Sequence, residues 1–452
     1  MPSLGVNLRD MVEIDDLIDA QPLSWLQKYV MVLCALAVLF DGYDLQVMAL
    51  TVPALSKAWA IAPSSFGTAL SASLLGMGFG AAFIGPLGDR YGRRTILAVT
   101  LAVVGLSSIA SAFAQNITQI ALCRLFTGAA LGASLANAYT LTADFMPRRR
   151  RASLITLTYC NTATGALAAG LIAPYAINHY GWQAAFVIGG VLPLLLSVAV
   201  ATTAPESIKF LLHRRPQAKA IADVLRRLAP GVAADAVYLN PIAQSLAGSV
   251  RDLFTRAFRA STLLMWLGFA MNSFNLYLLV SWLPTLLTGA GWTQTLAIQA
   301  MAFNQLGGII GGVSLAWMMD RFGAERTLAG GSLLNAATLA LFLVVPSGFL
   351  SWGALLLVIG ACTGGAQFAM VTLASTLYPS SILATGTGWT LAVARVGAVA
   401  SPLVGGALIA AGVNPIQVIA GLAGPALVCA MAMLALGRVR RRGYLAAGRE
   451  AS

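Results

Sequence analysis

The stretch GDRYGRRTIL (residues 88–97) returns later in the chain as MDRFGAERTL (319–328). A weaker pair, FMPRRRRAS (145–153) and LYPSSILAT (377–385), repeats at nearly the same spacing. Each copy is an insert between long apolar runs. The runs are of about 20 residues, the length a helix needs to cross the hydrocarbon core of a bilayer. They fall near 29–51, 66–88, 95–114, 118–143, 152–177 and 182–202 and, after a polar stretch, near 259–288, 295–319, 326–346, 351–377, 384–410 and 416–437. The first repeated pair sits between the second and third run of its half, and the other pair between the fourth and fifth. This pattern predicts an all-α polytopic membrane protein with twelve transmembrane helices in two six-helix pseudo-repeats. Such duplication is the architecture of secondary transporters, whose substrate sites lie between the halves near mid-membrane. The expected organisation is a cytoplasmic N-terminal segment (1–28), a first half (29–202), a cytoplasmic linker (203–258), a second half (259–437) and a cytoplasmic tail (438–452).

The chain is 58% apolar and only 10% charged, where an ordinary soluble domain carries about 25% charged residues. Of its 28 Lys and Arg residues, Arg124 and Arg395 fall within spans and Lys57 follows the first span. The rest lie at the N-terminus, in every second loop, in the central stretch and in the tail. Basic residues concentrate on the cytoplasmic side, so both termini are expected there, in a cell inner membrane. The same asymmetry accounts for the net charge of +12 without a nucleic-acid partner. PRRRRAS (147–153) and GRVRRRG (437–443) abut spans, where basic clusters meet anionic lipid. Glu13, Asp15, Asp16 and Asp19 do not fit the basic start and apolar core of a cleavable signal. VEIDDLIDAQPLSWLQKYV (12–30) reads instead as a short cytoplasmic helix against the first span. Cys34, Cys123, Cys160, Cys362 and Cys429 sit singly inside spans, and His179 and His213 in loops. Neither a disulfide framework nor a metal or other cofactor is expected.

Within the spans, VLFDGYDLQVMALTVPAL (38–55) is the costly segment. An Asp at the centre of a membrane helix costs about 2.5–3.5 kcal/mol, which makes function its default reading. Asp41 and Asp44, three apart, project from one helix face. Asp44 lies about seven residues, or roughly 10 Å, from the outer end of its span, and Arg124 about six residues, or roughly 9 Å, from the same surface. The two can therefore pair or share a cavity. Arg395 falls at about the depth of Asp41, in the other half. A carboxylate in a cavity that opens alternately to each side can load a proton on one side and release it on the other. An anionic substrate competing for a neighbouring arginine would couple the two movements, and the guanidinium fork suits a carboxylate.

Asp41 and Asp44 are thus the candidate proton-coupling residues, and Arg124 and Arg395 the candidate anion receivers. For Arg124, a brace between helices is the plainer alternative. Asn272, Asn275, Asn304, Gln305 and Gln367 suit the polar lining of a cavity, or equally interhelical hydrogen bonds. Tyr43 and Trp389 can stack on a substrate ring or simply pack. Asp89, Arg93 and Asp144, with Asp320 and Arg321 in the second copy, sit at the membrane edge and suit a gating or structural charge cluster. The glycines of LLGMGFGAAFIG (74–85) and GGIIGG (307–312) lack the strand–turn–helix setting of a nucleotide loop and read as close helix packing.

Several segments resemble a known family. GPLGDRYGRR (85–94) and RLFTGAALGASLANAYTLTADFMPRRRRA (124–152) resemble the loop and fourth-helix signatures of the major facilitator superfamily. DGYD (41–44), YLLVSWLPTLL (277–287) and ATGTGWTLAVARVGAVASPLVGG (384–406) are similar to its aromatic acid:proton symporters. Asp144 stands where that family usually has Glu, and GAER (323–326) stands where some members carry His. The resemblance implies a proton-coupled transporter that imports a small aromatic carboxylate by alternating access, expected to work as a monomer in the lipid bilayer. A proton-driven exporter of drugs or other organic solutes is the alternative on the same fold, though two intramembrane arginines suit a cation site poorly. An enzyme is not expected, since no catalytic constellation appears within the spans, and a channel has no need of the duplication.

Overall fold

The computed structural model describes residues 11–13, 18, 19, 22–208, 210, 211, 237–239, 250–379 and 382–450. Residues 1–10, most of the expected linker including His213, Ser380, Ser381 and the last two residues lie outside these, as does the side chain of Cys160.

Among the described residues, one half carries α1 (Trp25–Trp59), α2 (Pro63–Ile84), α3 (Arg93–Ala112), α4 (Ile117–Phe145), α5 (Arg148–Tyr180) and α6 (Trp182–Thr203). The other carries α7 (Arg259–Gly289), α8 (Gln294–Phe322), α9 (Ala324–Leu341), α10 (Phe349–Ser375), α11 (Leu383–Ala410) and α12 (Pro415–Gly421, continuing as Ala423–Glu450). Ten of these helices are long and apolar enough to cross a membrane. The remaining two, α5 and α9, open in polar sequence, at Arg148–Arg151 and Glu325–Arg326.

The repeat is visible in the packing. In the first half α1 packs on α5, α2 on α4 and α3 on α6; in the second, α7 packs on α11, α8 on α10 and α9 on α12. The repeated decapeptides make the same sharp turn. Gly92 and Gly323 occupy equivalent places with φ of 104° and 87°, a backbone that side-chain-bearing residues rarely adopt.

The N-terminal segment departs from expectation. Met11–Glu13 is a strand, β1, paired in parallel with β2 (Val237–Leu239). Ile18 and Asp19 are helical, and α1 begins only at Trp25. The expected single helix over 12–30 is interrupted because Pro22 lacks the N–H that a helix interior needs. Ser24 then starts α1 with a capping box: Gln27 N donates to Ser24 Oγ at 3.3 Å and Ser24 N to Gln27 Oε1 at 2.7 Å, satisfying two donors that would otherwise be orphaned.

The apolar core is distributed unevenly along the helix axes. The face that carries the repeated decapeptides and Arg438–Arg441 is the basic face. Toward the opposite face one cluster joins both halves, packing Val47, Met48 and Leu50 with Leu279, Trp282, Ile298 and Met301. Toward the basic face two separate clusters form, one around Val30, Leu97 and Phe145 and one around Phe269, Leu328 and Met433. Hydrogen bonds follow the same division, with Ser71 Oγ of α2 donating to the Val399 carbonyl of α11 at 2.9 Å across the halves.

Candidate functional site

Helix α1 supplies the acids, and a glycine lets them reach the interior. A Cβ on Gly42 would stand 1.8 Å from the Thr162 carbonyl oxygen, and one on Gly165 would stand 1.8 Å from that of Leu39. Only glycine lets α1 and α5 cross this closely. Asp41 and Asp44 flank the crossing at 2% and 1% exposure. Tyr43 turns away from them, packing beside Gly189 of α6 and donating its hydroxyl proton to the Ala185 carbonyl at 3.1 Å.

Arg124 reaches Asp44 from α4, with no exposure at all. Its Nη1 donates to Asp44 Oδ1 at 2.6 Å and its Nη2 to Ser111 Oγ at 3.0 Å, while the guanidinium lies 5.2 Å from the centre of the Phe186 ring. The pair that matched depths allowed is therefore made. It also occupies Arg124, which is not among the residues lining the large cavity. Asp41 Oδ1 and Asp44 Oδ2 have no hydrogen-bond partner among the described residues.

That cavity, of about 400 Å³, lies between α1 and α5 on one side and α7, α8 and α10 on the other. It runs from Gly42 and Gln46 at mid-depth toward Ala316 and Phe368, nearer the basic face. Its wall is mostly small and aliphatic, with three aromatic residues, Tyr159, Tyr277 and Phe368. Tyr159 meets Phe368 edge-on with ring centres 4.7 Å apart, and Tyr139 lies behind Tyr159 at 5.6 Å. Its deep end is lined by amides: Gln305 Nε2 donates to Gln46 Oε1 at 3.3 Å, and Gln46 Nε2 to Met301 Sδ at 3.2 Å. On α10, Gln367 Oε1 accepts from Asn272 Nδ2 at 3.0 Å. Asn275 is 1% exposed, and its Oδ1 has no hydrogen-bond partner among the described residues.

Arg395 approaches the same space from α11. Its Nη1 donates to the hydroxyl of Tyr277, a cavity-lining residue, at 3.4 Å. Of the two acids of α1, Asp44 has its arginine in contact, and Asp41 has no ion pair among the described residues.

The remaining candidates lie elsewhere. Trp389 stacks on Trp266, with ring centres 6.1 Å apart, and is exposed on the outside of the bundle. Asn304 donates to the Leu356 carbonyl at 3.3 Å, an interhelical bond. At the basic face Arg93 pairs with Asp144 and, at 3.1 Å, with Asp89. Ser207 Oγ donates to Asp144 at 2.6 Å, and Glu206 accepts from Arg94 N at 3.0 Å. The second copy keeps the turn but not this network. Asp320 is exposed, Arg321 lies over the rings of Trp317 and Phe322, and Glu325 pairs with Arg440. Sequence reasoning missed Gln46, Tyr159, Tyr277 and Phe368. Gln46 carried a usable signal, being polar in the same apolar run as the two acids.

A family model described as Major Facilitator Superfamily matches residues 34–390 and 300–451. The chain belongs to the Major Facilitator Superfamily. This facilitator is 36% identical over 438 residues to a gallate transporter of Pseudomonas putida, covering 95% of this chain and 96% of that one. It is 37% identical over 433 residues to the 4-hydroxybenzoate transporter PcaK of the same organism, with coverage of 95% and 96%. Its fold matches that of the xylose transporter XylE from E. coli in an inward open conformation, with a TM-score of 0.69 over 90% of this chain and 95% of that one. At 17% identity this is a likeness of fold alone. The facilitator is a polytopic membrane transporter and not an enzyme.

Proposed function

We propose that this facilitator imports a small aromatic carboxylate together with a proton, by alternating access, in a cell inner membrane with its basic face and both termini cytoplasmic. It is proposed to work as a monomer, as two six-helix units joined by a cytoplasmic linker near 203–258. The observation that carries the reading is a mostly apolar cavity with three aromatic rings on its wall and an arginine at its edge, Arg395 on the hydroxyl of Tyr277. The names of the relatives, which transport gallate and 4-hydroxybenzoate, agree with it.

The substrate's carboxylate takes the Arg395 fork, and its ring lies against Tyr159 and Phe368. Ring substituents meet the amides of Gln46, Gln305, Gln367 and Asn272. Asp41 and Asp44 carry the proton, and Arg124 braces Asp44. One proton per carboxylate leaves the charge of the loaded cavity equal to that of the unloaded one, which keeps the cost of crossing the membrane centre low. The ion pairs around Arg93, with Asp320 and Arg321 on the second half, serve as gating charges at the basic face.

Purified protein in proteoliposomes should concentrate a labelled aromatic acid when the outside is made acidic, and should not concentrate the corresponding amide. Arg395→Lys keeps the charge and loses the fork. Its substrate affinity should fall tenfold or more, about 1.4 kcal/mol. Unchanged affinity in monodisperse Arg395→Lys protein would remove Arg395 from the site.

A further inference from the structure

The Asp44–Arg124 pair is sealed from the large cavity, so a proton bound at Asp44 needs a path to reach solvent. Against the pair lies a second, smaller pocket between α1, α2 and α7, bordered by Asp44, Leu45, Ser73, Tyr277, Val280 and Ser281. Its volume of about 10 Å³ approaches the room that one water needs. Two oxygens of its lining residues are buried without a hydrogen-bond partner among the described residues, Asp44 Oδ2 and Ser73 Oγ, on residues 1% and 6% exposed. A water with several polar neighbours satisfies such groups at little cost. Leu45, Val280 and Tyr277 border both this pocket and the large cavity, and Tyr277 is the polar one of the three.

We propose that one ordered water in this pocket, with Ser73 and the Tyr277 hydroxyl, relays the coupled proton between Asp44 and the substrate cavity. The relay rests on the reading above in which Asp44 carries a proton. The Asp44 carboxyl gives its proton to the water, and the water gives one of its own to the Tyr277 oxygen. Tyr277 releases its original hydroxyl proton to water in the large cavity. Rotation of the hydroxyl resets the chain, so one proton has moved and no residue is altered. Arg395 bears on the relay, because its Nη1 donates to the Tyr277 oxygen at 3.4 Å and its positive charge opposes the arrival of a proton there. A substrate carboxylate that neutralises or draws away the guanidinium lowers that barrier. Substrate binding then opens the proton path without touching Asp44.

Two assays on reconstituted protein test the relay. Exchange of labelled for unlabelled substrate at equal pH needs no proton release, whereas accumulation driven by a pH gradient does. Ser73 is not among the residues lining the large cavity, and Ser73→Val fills the small pocket with methyl groups. Exchange by Ser73→Val should stay within twofold of wild type while accumulation falls tenfold or more. Ser73→Ala, which leaves room for the water, should keep at least a third of the accumulation. Tyr277→Phe, which also touches the substrate site, should lower accumulation and substrate-induced proton uptake, read with a pH electrode, at least tenfold, and by a clearly larger factor than it lowers exchange. If Ser73→Val gives no monodisperse protein, Tyr277→Phe, which keeps the ring and its packing, decides alone. Wild-type accumulation in both variants overturns the relay, as does loss of exchange in step with accumulation. Wild-type protein that takes up aromatic acid with no proton uptake overturns the coupling reading beneath it as well.

Discussion

Arg124 illustrates how a buried charge is tolerated: its guanidinium meets a carboxylate, a hydroxyl and a ring face, and no solvent. Removing one member of such a pair strands the other in an apolar setting, which costs about 3–5 kcal/mol. Arg124→Ala should therefore lower the melting temperature and yield of purified protein sharply. Arg124→Met combined with Asp44→Leu should recover most of that stability, since the pair is removed whole, yet fail to accumulate substrate under a pH gradient. Asp41 makes no ion pair among the described residues, so Asp41→Asn should melt near wild type and still lose accumulation. Transport and melting measured on the same preparations separate brace from proton carrier. The meeting of Asp44 and Arg124 was legible in the sequence, because depth along a span follows directly from helical rise. The direction each side chain faces was not. Arg124 and Arg395 are both anion candidates in the sequence, Arg124 with a brace as its alternative, and only helix rotation places one against Phe186 and the other beside Tyr277.

At the scale of elements, the α1–α5 crossing fixes where the acids stand. Gly42→Ala would drive a methyl into the Thr162 carbonyl, 1.8 Å away, whereas a Cβ on Gly78 of α2 meets nothing within 4 Å. Gly42→Ala should lose folded yield and transport together, and Gly78→Ala should retain both, as judged by gel filtration and uptake. Helix existence was legible nearly throughout, since an apolar run of spanning length has few other solutions. Pairing between β1 and β2 was not, because it joins residues far apart in the sequence through two short stretches with no alternation to mark them. Trp389 shows the same limit: an aromatic residue in a span stacks on Trp266 at the bundle's outer surface as readily as on a cavity wall.

For the whole molecule, the charge asymmetry and the core make independent statements. The proposed orientation places His179 outside and Arg321 inside. A cysteine at His179 should therefore react with an impermeant thiol reagent added to intact cells, and one at Arg321 should react only after permeabilisation; the reverse pattern would invert the topology. The cluster shared by both halves lies toward the face opposite the basic one, so opening a path on that side means wetting Val47, Met48, Leu279 and their neighbours. The surfaces that would close in exchange carry Arg93, Asp144 and Glu206 and return less apolar contact. The two states should then differ in heat capacity, because hydrating apolar surface raises it. Since apolar association weakens on cooling, cold should tilt the resting protein toward the form open opposite the basic face. A cysteine at Met48, 2% exposed here, should label faster from outside, relative to one at His179, as temperature falls. A ratio that stays flat would mean that exchange leaves the hydrated apolar area unchanged. If the carrier alternates as proposed, this seam would make the direction in which it rests when empty depend on how warm the cell is.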